Sequence, residues 1–150
     1  MANFYILNFN IMKTIVMIVG LVFFGNASIL LAQTPGYNVA FDLTSKDSNA
    51  HQMVIRWLNG ISKSDSTAQL EVVLYGKSLD MVTKNRSTVA EDISKLDKNK
   101  NISFKVCAVA MKNQKVDKSQ LLPGVQIVPD GIYELVVKQK QGWGYIKVVQ

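Results

Sequence analysis

The residue in this 150-residue chain with the strongest intrinsic chemistry is Cys107, its only thiol. A thiolate attacks sulfur and carbon electrophiles, and how readily it forms depends on nearby cations, helix ends and solvent. One cysteine cannot close an internal disulfide, and without a C-x-x-C pair there is no thioredoxin-like dithiol. Cys107 is therefore either a small packing residue or a group that exchanges sulfur with a thiol on another molecule. His51, the sole histidine, has no second His or Cys to complete a metal set, and its place near the start of a helical segment predicts an exposed side chain. Asp42 and Asp130 read as a carboxylate at a sheet rim and a helix cap, and Thr44 and Ser45 as loop or capping hydroxyls. There is no G-x-S-x-G elbow for a serine hydrolase and no glycine-rich loop to cradle phosphates. Neither a metal nor an organic cofactor is expected.

These residues need a frame that brings them together. Asn38–Leu43 and Leu70–Leu74 are short β-rich runs. Between them, Met53, Val54, Trp57, Leu58 and Ile61 form one stripe of a helix over Ala50–Ile61, with Ser48 or Asn49 as its N-cap. Thr88 and Glu91 have the spacing of a capping box before a helix whose inner stripe is Val89, Ile93 and Leu96. Ile102–Val109 reads as the third strand, Val125–Val128 as a short fourth, and Tyr145–Val149 as a fifth. Asp130-Gly131 opens a last helix with Ile132, Leu135 and Val136 on one side, and Gly142 suits the left-handed residue that ends it.

Strands alternating with helices predict a single small α/β domain: a mostly parallel sheet of about five strands with helices on both faces. Sites in such sheets lie beyond the carboxyl ends of the strands. That rule gathers Asp42, Tyr75-Gly76 and the segment Cys107 to Lys112 at one rim. In the third strand the period of two puts Ile102, Phe104, Val106 and Ala108 on one face and Ser103, Lys105, Cys107 and Val109 on the other. Lys105 and Lys112 are the cations nearest the thiol in sequence.

The amino-terminal segment has a different character. Thr14–Phe24 is a charge-free apolar run of eleven residues, preceded by Lys13 and followed by the small or polar Gly25, Asn26, Ala27 and Ser28. This is the layout of a secretory signal peptide, and the run is shorter than the ~20 residues of a spanning helix. The expected organisation is a signal peptide over residues 1–32, cleaved after Ala32 or alternatively after Ala27, and one domain over 33–150. Met12 is an alternative start, and an uncleaved anchor is the alternative to cleavage. Export to the periplasm follows, with no membrane attachment after cleavage.

The chain is basic, with 17 Lys and Arg against 11 Asp and Glu. The lysines are scattered and no aromatic residues interleave with them, so a solvated surface is expected and nucleic acid is not an expected partner.

Several segments together resemble the DsrE/DsrF-like family. They are Val39-Ala40-Phe41-Asp42-Leu43-Thr44-Ser45, Glu71-Val72-Val73-Leu74-Tyr75-Gly76, Cys107, Leu121-Leu122-Pro123-Gly124-Val125, Val128-Pro129-Asp130-Gly131, Glu134-Leu135 and Gln141-Gly142-Trp143-Gly144-Tyr145-Ile146. The resemblance implies a compact α/β fold of DsrE type and assembly into homotrimers or homohexamers. In the sulfur-relay members it implies a strand-end cysteine that carries sulfur as a persulfide, and Cys107 falls at that position. Relatives often continue with a polar, Asn-containing stretch where this chain reads Ala108-Val109-Ala110-Met111, and often carry His where it has Tyr75. The expected function is a periplasmic sulfur carrier or relay acting through Cys107 between donor and acceptor proteins, rather than a classical enzyme. The alternative is an oligomeric binding or scaffold module of the same fold without sulfur transfer.

Overall fold

The computed structural model of the protein describes residues 36–149. The expected signal peptide, its cleavage sites and the alternative start at Met12 lie outside them.

Two buried runs start the sheet. In β1 (Asn38–Leu43) and β2 (Gln69–Leu74) five of six residues are buried, as expected for parallel strands covered on both sides. β3 (Ile102–Cys107), β4 (Gln126–Val128) and β5 (Gly144–Val148) complete five strands in the order β4-β3-β2-β1-β5, all parallel. The register aligns Phe41, Val72 and Phe104 in one row and Asp42, Val73, Lys105 and Gln126 in the next, with Lys147 beside Asp42. Successive rows point to opposite faces.

One face is closed by α1 (Ser48–Ser64), α2 (Ala90–Leu96) and α3 (Ala108–Gln114). Phe41, Leu43, Val72, Leu74, Phe104 and Val106 from the sheet meet Val54 and Leu58 of α1 and Ile93 of α2 in one large apolar cluster. The other face is covered by α4 (Gly131–Lys140), beneath which the buried apolar cluster is only Ala40, Val73 and Leu135. The sheet and its two covered faces match the fold class read from sequence. No helix among the described residues is long and apolar enough to cross a membrane.

Four local expectations are corrected. The N-cap of α1 is Asp47, not Ser48 or Asn49; its carboxylate accepts from Asn49 N at 2.8 Å, so the helix begins earlier than the apolar stripe suggested. The Thr88–Glu91 capping box does not form, because α2 starts at Ala90 with Val89 in the cap position and no side-chain bond. Ser87 Oγ takes the Val89 amide at 3.2 Å and turns the chain one step earlier. The third strand stops at Cys107 instead of running to Val109, since Ala108, Ala110 and Met111 are good helix formers and begin α3. In α4 only Leu135 of the expected stripe faces inward; Ile132 and Val136 are exposed. Gly142 does end α4 in the left-handed region, at φ 82°.

Candidate functional site

β3 and α3 meet without a connecting loop, so Cys107 is both the last residue of the strand and the N-cap of the helix. Its backbone is extended and its side chain makes no capping bond, which leaves the sulfur uncommitted. The thiol is 6% exposed and lines a cavity of about 200 Å³. Three other elements complete the wall: Tyr75 and Gly76 after β2, Val109, Ala110 and Asn113 from α3, and Asp130 and Ile132 at the start of α4. Gln114 at the end of α3 donates its amide to the Gly76 carbonyl, tying the two sides of the opening together.

α4 reaches the thiol only because residue 131 is glycine. A Cβ there would lie 3.2 Å from Cys107 Cβ, 3.3 Å from Val73 Cγ1 and 3.4 Å from Tyr75 Cβ. Asp130, expected as a cap, performs that role: its Oδ1 accepts from the Ile132 and Tyr133 amides at 2.7 and 3.1 Å.

Among the described residues, no cation lines this cavity. Lys112 is exposed on α3. Lys105 shares a sheet face with Cys107 but is held by Glu71 at 2.9 Å and Glu134 at 2.7 Å. Burial opposes its charge, yet the two carboxylates outweigh burial and hold the ammonium above its ordinary range. Burial likewise pushes Glu134 up, but its bond from Lys105 and further contacts with Glu71 and Lys138 leave it below the usual carboxylate range.

This buried charge seam was not anticipated from the sequence. Glu71 is 1% exposed; its Oε2 takes Lys105 and Lys138, each at 2.9 Å, and Ser103 Oγ at 3.2 Å, while Oε1 has no partner. The ammonium of Lys138 also lies 4.0 Å from the centre of the Trp143 ring. The available signal was an acidic residue inside the otherwise apolar run Leu70–Leu74. Its partners, however, come from β3 and α4.

Asp42 is at the rim, as expected, but buried to 3% exposure and fully engaged: it accepts from Tyr145 at 2.6 Å and from Lys147 at 3.0 Å through each oxygen. The cluster sits between β1 and β5, where the direction of chain progression across the sheet reverses. Its bond to Asp42, with burial second, pushes the Tyr145 phenol up to about 12. Tyr75 lies between this cluster and the cavity, with Lys147 5.6 Å from its ring centre. Burial first, then the Asp42 charge, push its phenol up to about 12, so it faces the cavity as a neutral group.

His51 is corrected from exposed to buried: it is 2% exposed, with Nε2 2.9 Å from the Ser45 carbonyl. A carbonyl only accepts, so Nε2 carries the proton, and the ring pins the loop after β1. Thr44 and Ser45 are loop residues; Ser45 Oγ accepts from Asp47 N at 3.1 Å. Trp57 packs on Phe41 with ring centres 6.0 Å apart. Among the described residues, no cluster of His, Cys, Asp and Glu has the arrangement of a metal site.

A five-stranded parallel α/β domain with one cysteine at the carboxyl rim defines the class. The chain belongs to the DsrE/DsrF-like family, whose model matches residues 9–148. Three solved structures share its fold. The protein of unknown function MTH1491 from Methanobacterium thermoautotrophicum is 25% identical with a TM-score of 0.69, over 74% of this chain and 98% of that one. The conserved protein of unknown function BT1422 from Bacteroides thetaiotaomicron is 18% identical with a TM-score of 0.59, over 75% and 95%. The ychN protein from E. coli is 13% identical with a TM-score of 0.62, over 75% and 98%. No curated protein matches the sequence.

Proposed function

We propose that this protein is an exported, periplasmic sulfur carrier that holds sulfane sulfur as a persulfide on Cys107. The observation that carries this reading is the placement of an uncommitted thiol against a cavity at the carboxyl rim of a DsrE-family fold. In the step, the Cys107 thiolate attacks the terminal sulfur of a donor persulfide, R–S–SH. The donor S–S bond breaks, its electron pair leaves with R–S⁻, and Cys107–S–SH forms with no net oxidation. A thiolate on an acceptor protein removes the sulfur in the same way and regenerates Cys107. Such a protein is a carrier between two partners rather than a classical enzyme.

Export rests on the apolar run Thr14–Phe24 and the small residues after it. Assembly into a homotrimer or homohexamer is carried by the family resemblance alone. Two features favour a scaffold or binding module instead: the deep burial of Cys107 and a cavity wall in which the described residues include no cation.

Intact-mass spectrometry after incubation with a low-mass alkyl persulfide separates the two readings. One added sulfur on the native protein, lost in Cys107→Ser and removable by an acceptor thiol, is the expected result. A thiol that stays unmodified until the chain is denatured would make Cys107 a packing residue.

A further inference from the structure

A carrier must let two macromolecular partners reach a thiol that is 6% exposed, and what covers that thiol on one side is the first turn of α4. This helix is built inside out. Its outward positions include Ile132, Tyr133 and Val136, whereas its inward positions are Gly131, Glu134, Leu135 and Lys138. Leu135 is its only buried side chain larger than hydrogen; α1, by contrast, buries Ala50, His51, Val54, Ile55 and Leu58. Much of what remains between α4 and the sheet is the seam of Glu71, Lys105, Glu134 and Lys138.

Such a seam is a poor adhesive. Desolvation of buried ions offsets most of their mutual attraction, and a partly satisfied network holds less well than apolar packing. Here Glu71 Oε1 is buried without a partner. The elements on either side of α4 are also the two edges of the sheet, β4 before it and β5 after it, so moving the helix opens no interior strand pair. Gly142, in the left-handed region, and the Asp130 cap mark the two ends of the helix. Elements with few buried apolar contacts are those that open locally below the global unfolding free energy.

We propose that α4 is a lid: it lifts from the sheet as a unit while the large core on the opposite face stays folded, and this opening exposes the Cys107 sulfur to a partner. The lid controls access to the carrier site and so rests on the carrier reading for its purpose. Its physical content is independent of that reading.

The test is the rate at which the native full chain reacts with 5,5′-dithiobis(2-nitrobenzoate), a reagent bulkier than the cavity, followed against urea with circular dichroism on the same samples. Iodoacetamide serves as the small reagent, and both rates are normalised to a cysteine peptide. The wild type reacts slowly, at a rate nearly constant across the folded baseline, because a local opening exposes little surface. Glu134→Gln strips Lys105 of one carboxylate and speeds the reaction tenfold or more. The double variant Glu71→Leu, Lys138→Leu replaces half of the seam with apolar side chains, keeps the Lys105–Glu134 pair and slows the reaction severalfold. A rate that climbs with urea in step with global unfolding overturns the lid. Rapid reaction with iodoacetamide while the bulkier reagent stays excluded in all variants overturns it too, since the thiol is then reached through the cavity. Should Glu134→Gln not fold, the wild-type urea dependence and the double variant decide. A failure of Cys107 to take up sulfur would remove the carrier reading and leave these rates as they are.

Discussion

Replacing Gly131 by alanine sets two known effects against each other at the point where α4 meets the thiol. Alanine is favoured over glycine within a helix by about 1 kcal/mol, and on that ground alone the variant should be more stable. The added methyl, however, would sit 3.2 Å from Cys107 Cβ, 3.3 Å from Val73 Cγ1 and 3.4 Å from Tyr75 Cβ. Carbon atoms in contact settle at about 3.5–4.0 Å. Two of the three neighbours are Cβ atoms fixed to backbone, at the last residue of β3 and just past the end of β2, and Val73 is fully buried, so none can swing aside. The strain falls on α4, which must rise by a few tenths of an ångström, and overpacking of this kind costs about 1–3 kcal/mol. The sum is a loss of up to about 2 kcal/mol, centred near 1. With a urea slope of about 2 kcal/mol per molar, the unfolding midpoint drops by roughly 0.5 M. Because the displaced helix is the one over the sulfur, Cys107 should also react faster with thiol reagents. The assay is urea unfolding by circular dichroism together with alkylation of the native protein. A midpoint that rises while alkylation is unchanged would mean that the methyl is accommodated freely, and would refute the claim that glycine is required for this close approach.

Two further outcomes follow from groups around the site. Tyr75 and Tyr145, both pushed up to about 12 from an ordinary value of 10.0, favour the protonated phenol in the folded state. The stability they contribute is complete below pH 10 and is lost as pH rises from 10 towards 12. Absorbance at 295 nm should show late phenolate formation that Tyr75→Phe and Tyr145→Phe each reduce; unchanged curves would disprove the link to Asp42. Asp47→Ala removes the cap of α1 and should lower stability by about 1 kcal/mol in urea unfolding, while Ser48→Ala, at one of the two residues the sequence offers as the cap, should do almost nothing.

The parts of the molecule legible in sequence are those in which a local pattern and a packing requirement coincide. Asn38–Leu43 and Leu70–Leu74 are apolar because both faces of a central parallel strand are covered, and Met53, Val54, Trp57, Leu58 and Ile61 repeat at the helical period because one side of α1 meets the core. Ambiguity entered where several residues could do one job. Asp47, Ser48 and Asn49 are all capable caps, and only the backbone geometry chooses among them. Ala108-Val109-Ala110-Met111 is too short and apolar for periodicity to separate strand from helix, and the strand ended at Cys107. His51 looked like a surface residue at a helix end, but the loop carrying Ser45 folds over it. The charge seam was out of reach for another reason: its four members lie on β2, β3 and α4 and meet only through strand register and the rotation of one helix.

That rotation also explains why the site has two independent parts. Cys107 belongs to the large apolar cluster on one side of the sheet and touches Gly131 of α4 on the other. The cluster fixes where the sulfur is, since Phe104 and Val106 in the same strand are 1% or less exposed. In the lid proposal, the helix with Ile132 turned outward and Glu134 turned inward sets how often the sulfur is exposed. A cavity made beneath Phe104 should therefore lower global stability by about 3–5 kcal/mol and shift every probe of unfolding together. A change in the seam should move the reactivity of one thiol ahead of the rest. Had α4 presented its apolar residues to the sheet, as its sequence pattern first implied, the two properties would be fused, and Cys107 could be reached only by unfolding the domain that positions it.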